Sequence, residues 1–476
     1  MLNFSTKYIL LLLISFLLAE KLNGQQSDML PADFLVIDRI IIEGNKITKD
    51  NILKRELEFR EGDTIKKMEL IPAFERSREN LLNLSLFNFA TLDADHHAGN
   101  RIDVLISVQE RWYIWPTPIF EIGDRNLTEF LKDPEWSRLN YGMWLKWNNF
   151  RGRNELLEAK IRLGYKEQYV LQYEKPNLGA SENHTLSFSY SLSRQHRVNY
   201  ITLDNRPVYF RDDDEYALSS ADAFVAYSYR PQLYSRHRVR AHFVDDWVSD
   251  SVAILNPAFF GNGYTRYRHF KIDYVFTYDI RDSKIYPLEG EAFKMKVQRF
   301  GLGIIQDYPF GNWEAEAAVF YHRKLSDRFY FADVVKGKIA SNKNVPLVQQ
   351  KALGYSENMT GYDDFVIDGT DYIVNKLILK FQLLRPTAFS VPYLNIKQFS
   401  KVHLAMYINL FGDIGYVNNK NVVDPSNFMV NEIQYSTGIG IDFVTYYDKV
   451  FSIEYAINRY GMSGFFFRAE TPFFEW

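Results

Sequence analysis

Few residues of this chain have types and spacings that could support catalysis. Residues 461–464 (GMSG) lack the final spacing of the G-x-S-x-G nucleophile elbow. The nine histidines include no H-E-x-x-H pair, the spacing that sets two zinc ligands on one helix face. His96 and His97 follow Asp93 and Asp95 in a predicted turn, where hydrated side chains are the ordinary explanation. The sequence also has no glycine-rich phosphate loop, so we expect neither an enzyme nor a bound cofactor or metal ion.

The pattern that must position every other feature is a strict alternation of apolar and polar side chains. In residues 186–193 (LSFSYSLS) every second residue is apolar and the others are serines. The same alternation recurs in residues 272–279, 293–298 and 451–458. A period of two places one row of side chains on each face of a strand. We therefore expect a transmembrane β-barrel, apolar toward lipid and polar toward a hydrated lumen; a soluble β-sandwich is the alternative.

The N-terminus favours the transmembrane barrel over the soluble sandwich, because it predicts an exported protein. Lys7 precedes an apolar stretch at residues 8–19, and residues 22–24 (LNG) offer a cleavage site, which together predict a signal peptide over residues 1–24 and a linker over 25–33. The stretch is shorter than the roughly 20 residues that a helix needs to cross a bilayer. The absence of cysteine excludes a lipoprotein anchor and disulfides. A net charge of −3 gives no reason to expect nucleic-acid binding.

The region that follows the linker has a different pattern, with amphipathic helices between β-rich segments. Two helices are predicted between strands, in the order β-α-α-β-β, over residues 34–43, 48–57, 68–84, 87–93 and 101–111. Gly44 and Asn45 form the turn after the first strand, because both tolerate positive φ. The prediction is therefore a small α+β domain over residues 34–111.

This front region resembles a POTRA domain, the periplasmic module of outer-membrane assembly proteins. The matching segments are residues 40–45 (IIIEGN), 81–87 (LLNLSLF) and 108–111 (VQER). The resemblance implies an exposed strand edge that accepts an extended client peptide as an added strand. The residues expected at this edge are Ile40, Ile42, Gly44 and Asn45.

Four segments of residues 112–476 resemble the BamA/TamA family, also called the bacterial surface antigen family. They are residues 149–154 (NFRGRN), a mid-barrel motif, an F-x-D-x-G strand and the aromatic C-terminal segment 465–476. The mid-barrel motif consists of Asp279, Arg281, Asp282, Pro287 and Gly290. The F-x-D-x-G strand consists of Phe411, Asp413 and Gly415. The resemblance implies an antiparallel barrel of about 16 strands in the outer membrane, with the POTRA domain in the periplasm.

One position departs from the family pattern. In the family, a V-R-G-F/Y motif at the tip of a long loop folds into the lumen, where its arginine meets the aspartate of F-x-D-x-G. The corresponding loop here is residues 340–371, and its tip consists of Met359, Thr360, Gly361 and Tyr362. Thr360 cannot neutralise Asp413. Three explanations stay open: Lys376 or Lys380 supplies the positive charge, the loop is held loosely, or the loop is extracellular.

The junction between the first and last barrel strands is the other candidate site. The first strand is expected over residues 112–123 and contains Pro116 and Pro118, which have no N–H to donate. The closing strand contains Gly464 and ends at Trp476. A weakly bonded seam between these strands would open sideways and let a client strand pair with the free edge. The alternative is that the prolines only prevent aggregation through that edge.

The BamA/TamA resemblance implies insertion or assembly of other outer-membrane proteins at this seam. The partners would be outer-membrane lipid and an unfolded or secreted client, with accessory lipoproteins as a further class. The driving force would come from backbone hydrogen bonds that the client satisfies in lipid. The alternative is a translocation pore or channel that exports a dedicated partner. A barrel-borne hydrolase using Ser463 ranks third, because the sequence offers no catalytic partners for it.

Overall fold

The computed structural model describes residues 33–96, 100–122, 139–179, 181–307, 311–390, 401–422, 424–445 and 449–470. The expected signal peptide, the linker up to residue 32 and Trp476 lie outside the described residues. Within these ranges, every helix is too short or too polar to cross a bilayer.

The N-terminal unit is a four-stranded mixed sheet with two helices. Its elements are β1 (Phe34–Glu43), α1 (Asp50–Lys54), β2 (Thr64–Lys66), α2 (Lys67–Leu82), β3 (Phe87–His96) and β4 (Arg101–Glu110). The strand order is β2-β1-β4-β3, in which only β1 and β4 are parallel. Ile37, Leu53, Leu81 and Ile106 lie in its core. The predicted order is observed, with β2 as an addition that is too short to show a periodicity.

The remaining strands form a 16-stranded antiparallel sheet and two small hairpins. In chain order they are β5 (Ile114–Ile122), β6 (Leu139–Phe150), β7 (Glu155–Gly164), β8 (Lys166–Leu178), β9 (His184–Gln195), β10 (Arg197–Leu203), β11 (Arg206–Arg211), β12 (Leu218–Gln232), β13 (Ser235–Val248), β14 (Arg266–Asp279), β15 (Gly290–Phe300), β16 (Asn312–Lys324), β17 (Phe329–Ala340), β18 (Lys351–Leu353), β19 (Ile367–Asp368), β20 (Asp371–Ser390), β21 (Lys401–Asn418), β22 (Ile433–Thr445), β23 (Val450–Asn458) and β24 (Ser463–Glu470). The hairpins are β10–β11 and β18–β19, and a short helix, α3 (Asp250–Leu255), precedes β14. The predicted antiparallel barrel is confirmed.

The alternation in the sequence sets the two faces of the barrel wall. In β9, Leu186 and Phe188 are 49% and 44% exposed on the outer face, whereas Ser187 and Ser189 are 4% and 6% exposed on the inner face. A strand with this pattern can lie in the sheet in only one orientation, because turning it over would expose serines to lipid and bury leucines in the hydrated lumen. The wall therefore follows from the period of two.

Candidate functional site

The seam lies between β5 and β24, the two ends of the 16-stranded sheet. No ladder joins these strands within the described residues. In the described part of the chain, β5 pairs with β6 alone and β24 pairs with β23 alone. Pro116 and Pro118 lie in β5, where each lacks an N–H, and Gly464 lies in β24. The structure thus brings the predicted seam residues onto the two strand edges, apart from Trp476.

Aromatic rings on the outer face accompany both edges of the seam. Phe120 of β5 is 71% exposed, and Phe465 and Phe467 of β24 are 80% and 71% exposed. Such rings are compatible with lipid but not with water. The seam is therefore apolar toward the bilayer, and no ladder between its two strands is present among the described residues.

The tip of the loop between β17 and β20 contacts Asp413 of β21. The Thr360 backbone N–H donates to the Asp413 Oδ2 at 2.8 Å, and the Lys376 Nζ lies 4.0 Å from the same oxygen. Lys380 lies elsewhere, with its Nζ 3.8 Å from the Tyr286 ring centroid. Of the two lysines considered, Lys376 is thus the one beside Asp413, and a backbone donor occupies the place of the family arginine.

The other tip residues contact the inner faces of β21, β22 and β23. Gly361 adopts φ +85° and its carbonyl accepts a hydrogen bond from Asn458 Nδ2 at 2.8 Å. The Tyr362 hydroxyl donates to the Tyr435 carbonyl at 3.0 Å. Met359 packs so closely on Gly415 that a β-carbon there would lie 2.5 Å from its sulfur. Asn458 and Gly415 lie on the inner face of the wall, so the loop tip occupies the lumen rather than the exterior.

An ion pair of reversed polarity ties the loop to the closing strand. The Arg468 Nη2 of β24 lies 2.9 Å from the Asp363 Oδ1 in the loop, and its Nε donates to Glu454 Oε2 at 2.8 Å. The acid is therefore on the loop and the arginine on the wall, opposite to the family pattern. Sequence reasoning missed Arg468; its signal was an inward-facing position in the alternating β24.

The mid-barrel motif shapes the turn between β14 and β15. Arg281 forms two hydrogen bonds with Asp279, at 2.8 and 2.9 Å. The Asp282 Oδ1 accepts N–H bonds from the turn, including that of Ser283 at 2.8 Å. Gly290 adopts φ +96°, and a β-carbon there would lie 2.5 Å from the Ile280 carbonyl oxygen. The Pro287 carbonyl accepts from Lys380 Nζ at 3.3 Å. The motif therefore fixes a turn geometry.

That turn and its neighbours hold the N-terminal unit at one end of the barrel. Arg230 of β12 forms a bidentate pair with Glu56, with N–O distances of 2.5 and 2.7 Å. Burial raises the pKa of Glu56, but the hydrogen bonds and charge of Arg230 outweigh it and hold that pKa below its usual value. Asn83 donates to the Asp282 carbonyl at 3.2 Å. The contacts fix both the position and the orientation of the unit.

The predicted strand edge of the N-terminal unit is only partly open. β2 pairs with β1 at Phe34–Val36 only, so Ile42 lies where that side of β1 has no neighbouring strand among the described residues. The Ile40 N–H donates to the Glu61 Oε1 at 3.1 Å. Gly44 and Asn45 follow β1 in the turn. A longer open edge, which sequence reasoning missed, is β3, the outer strand at the other side of the sheet.

The opposite end of the lumen is capped by loops that meet at Asn205, the tip of the β10–β11 hairpin. Its backbone N–H donates to the Asn427 Oδ1 at 2.8 Å, and its Oδ1 accepts from the Met429 N–H at 2.9 Å. Its Nδ2 donates to the Val366 carbonyl at 3.3 Å, and the Val366 N–H returns a bond to the Asn205 carbonyl. Sequence reasoning missed this cap, which joins three separate loops.

Family models match both parts of the chain. An "Omp85 superfamily domain" model matches residues 149–459, well over half of the sequence. The chain belongs to the Omp85 superfamily. A POTRA model, described as "Surface antigen variable number repeat", matches residues 35–111 of this Omp85 protein. The resemblance to an outer-membrane family with a POTRA domain is therefore confirmed, and Omp85 barrels are outer-membrane proteins.

Solved structures share the fold of this Omp85 protein at low identity. CdiB from Escherichia coli is 11% identical, with 91% of this chain and 76% of that chain covered and a TM-score of 0.53. BamA from Haemophilus ducreyi lacking POTRA domains 1–3 is 13% identical, with 91% and 83% covered and a TM-score of 0.49. No curated protein matches the chain. The similarity to the first structure shows a common fold.

Proposed function

We propose that this Omp85 protein inserts other β-barrel proteins into the outer membrane by pairing their strands at the seam. The observation that carries the proposal is the absence of a described ladder between β5 and β24, whereas every other neighbouring pair of barrel strands is joined. An unpaired strand edge in a bilayer is costly because no water reaches it to form hydrogen bonds. A client strand would satisfy that edge and lower the free energy of both chains.

The proposal assigns each region a place in the membrane. Residues 1–24 would be a signal peptide, 25–33 a linker, 34–111 the periplasmic POTRA domain and 112–476 the barrel. Unfolded clients would meet the open side of β1 around Ile42, or β3, by strand addition. The Asp363–Arg468 pair would hold β24 to the lumenal loop while its other edge stays available. Client proteins and lipid are the proposed partners, with accessory lipoproteins as a further class.

Two experiments test the proposal. Depletion of the protein should lower the amounts of other folded barrels in the outer membrane, measured by their change in gel mobility on boiling; unchanged amounts would exclude an insertase. Because the chain has no cysteine, disulfides can also lock the seam. Phe120→Cys combined with Phe465→Cys or Phe467→Cys should stop insertion on oxidation.

The matched control locks a junction that is already paired. Leu379 and Leu410 face each other across β20 and β21 and are both exposed on the outer face. Leu379→Cys/Leu410→Cys should form its disulfide and leave insertion unchanged. If the oxidised seam variants still insert clients, lateral opening is wrong.

Export of a dedicated partner through the lumen is a second candidate. A cavity of about 760 Å³ under the cap favours it, since polar residues such as Asn140, Ser220 and Gln195 line this space. The Asn205 contacts would have to open for export. Deletion of residues 340–371 should raise conductance in planar bilayers strongly if the lumen is a transport path, and a protein that stays closed argues for the seam instead.

A further inference from the structure

A smaller cavity lies where the POTRA domain meets the barrel wall. It has a volume of about 370 Å³ and is lined by α2 and the segment after it, by the β12–β13 turn, and by β13–β15. Six basic side chains and two carboxylates line it, which is an excess of four positive charges. Both carboxylates already have bidentate arginine partners, Glu56 with Arg230 and Asp279 with Arg281.

The excess charge belongs to Arg236, Arg238, Lys284 and Lys294. The Arg238 Nη2 lies 3.6 Å from the Glu174 Oε2. In the described part of the chain, the Arg236 and Lys284 side chains form neither an ion pair nor a hydrogen bond. Desolvation by the surrounding cavity wall and the nearby Arg236 charge lower the pKa of Lys284, in the turn after β14, to about 8. Cations confined together repel each other, and an anion between them would relieve that repulsion.

The shape and position of the cavity restrict what the anion can be. Arg236 and Arg238 share the inner face of β13, whereas Val239 is exposed on the outer face. A lipid headgroup outside the wall does not reach this inner face. The volume suits one or two side chains rather than a folded domain. The cavity also lies between the POTRA domain and the lumen, where an unfolded polypeptide would pass.

We propose that this cavity binds a carboxylate of an extended polypeptide segment that enters from the POTRA domain, with Arg236 and Lys284 as the principal ligands. The guanidinium plane of Arg236 matches a carboxylate in two-point contact, and the Lys284 ammonium adds a point charge. The proposal rests on the proposed function, because it makes acidic positions in the client the feature that the site recognises. Inorganic phosphate shares the oxyanion chemistry and is the competing source.

The test measures binding of short synthetic peptides to the full chain in detergent. A peptide rich in Asp and Glu should bind, whereas its Asn and Gln counterpart should bind about tenfold more weakly or worse, as expected when a charge-assisted contact is lost. Arg236→Gln/Lys284→Gln should weaken binding of the acidic peptide by about the same factor. The matched control, Lys324→Gln/Arg328→Gln, removes the same charge around the β16–β17 turn and should bind as the parent does.

Two outcomes overturn the assignment. If the Arg236→Gln/Lys284→Gln protein binds the acidic peptide as tightly as the Lys324→Gln/Arg328→Gln protein and the parent do, the cavity is not the site. Phosphate that binds as tightly as the acidic peptide and displaces it means that the site takes a small inorganic anion. Neither outcome depends on insertion itself: if depletion leaves other barrels at normal levels, the proposed function fails whatever the peptides do. If depletion lowers them but the Arg236→Gln/Lys284→Gln protein restores them fully, only the client-recognition role fails.

Discussion

The two ends of this barrel are closed by different kinds of contact. At the capped end, the Asn205 side chain and backbone bond to neutral amides and carbonyls from two other loops. At the POTRA end, the central contact is the buried Glu56–Arg230 ion pair, and Tyr234 bonds to Glu58 nearby. The Asn205 contacts are thus made by uncharged groups, whereas the central contacts of the POTRA end are made by groups that carry or can lose a charge.

The difference indicates which end can respond to its surroundings. Hydrogen bonds between neutral amides do not change with pH, and salt acts on them only weakly. Charged groups between two surfaces titrate, and each protonation changes the free energy of docking. We therefore expect the contacts at the POTRA end to change with pH and salt, and the Asn205 contacts at the capped end to stay the same.

Removing the central charge of the POTRA end should have the largest effect. Glu56→Ala leaves Arg230 buried without its carboxylate, which costs roughly 3–5 kcal/mol when one partner of a buried pair is lost. We expect the POTRA domain to undock, which faster hydrogen–deuterium exchange in α1 and α2 would show. Glu56→Met/Arg230→Met is the control and should lose much less of the docking free energy, because no charge stays buried. Unchanged exchange in the alanine variant would mean that other contacts hold the domain.

Opening the capped end should have the next largest effect. Asn205 is fully buried and adopts φ +55°. Asn205→Ala removes the acceptor for the Met429 N–H and puts alanine in the left-handed region, at a cost of about 2–4 kcal/mol. Planar-bilayer conductance should rise because the hairpin tip no longer seals the lumen. Asn205→Asp keeps the acceptor and should conduct less than the alanine variant; equal conductance in both would show that the cap does not depend on this side chain.

The barrel wall was predictable from the sequence because its signal is local and repeated. Leu186 and Ser187 take opposite faces wherever the strand is placed, since the period of two determines the faces. The family resemblance implied that the loop tip lies beside Asp413, but Thr360 in place of the family arginine left a loosely held loop and an extracellular loop open. Sequence left Lys376 and Lys380 open as partners, because both lie on the same face of one strand. Only the register of β20 with β21, which pairs Lys376 with Asp413, separates them.

The contacts that close the two ends were not predictable. Glu56 and Arg230 are 174 positions apart, and each resembles a solvated surface charge when only its neighbours in sequence are known. Asn205 lies in a turn, where asparagine is common for its tolerance of positive φ alone. Arg468 escaped notice because the family places its arginine in the loop. Such pairings depend on how separate elements dock, and local patterns do not carry that information.

The loop inside the lumen contacts both the cap and the closing strand, and loss of its ion pair with β24 should have a moderate effect on the stability of that strand. Asp363→Asn removes the charge that faces Arg468, which should cost about 1–2 kcal/mol for a partly buried charged hydrogen bond. Hydrogen–deuterium exchange in β24 should become faster. Asp364→Asn is the matched control, since Asp364 is the exposed neighbour. If both variants exchange alike, the loop does not hold the closing strand.

The smallest effect should be a dependence of POTRA docking on pH. Burial and the charge of Asp282 raise the pKa of Glu79 in α2 to about 7. An acid whose pKa is raised in the docked state favours docking while it is protonated, so docking should weaken as the pH rises from about 4.5 to above about 7. Glu79→Gln should remove most of this dependence, measured as the protection factors of α2 amides across that range, whereas Glu69→Gln at the exposed start of the helix should keep it. A flat profile in the parent protein would contradict the view that the POTRA end is the adjustable one. The neutral Asn205 contacts provide the internal comparison, because the protection factors around residues 203–206, which are corrected for the intrinsic rise of amide exchange with pH, should stay constant over the same range.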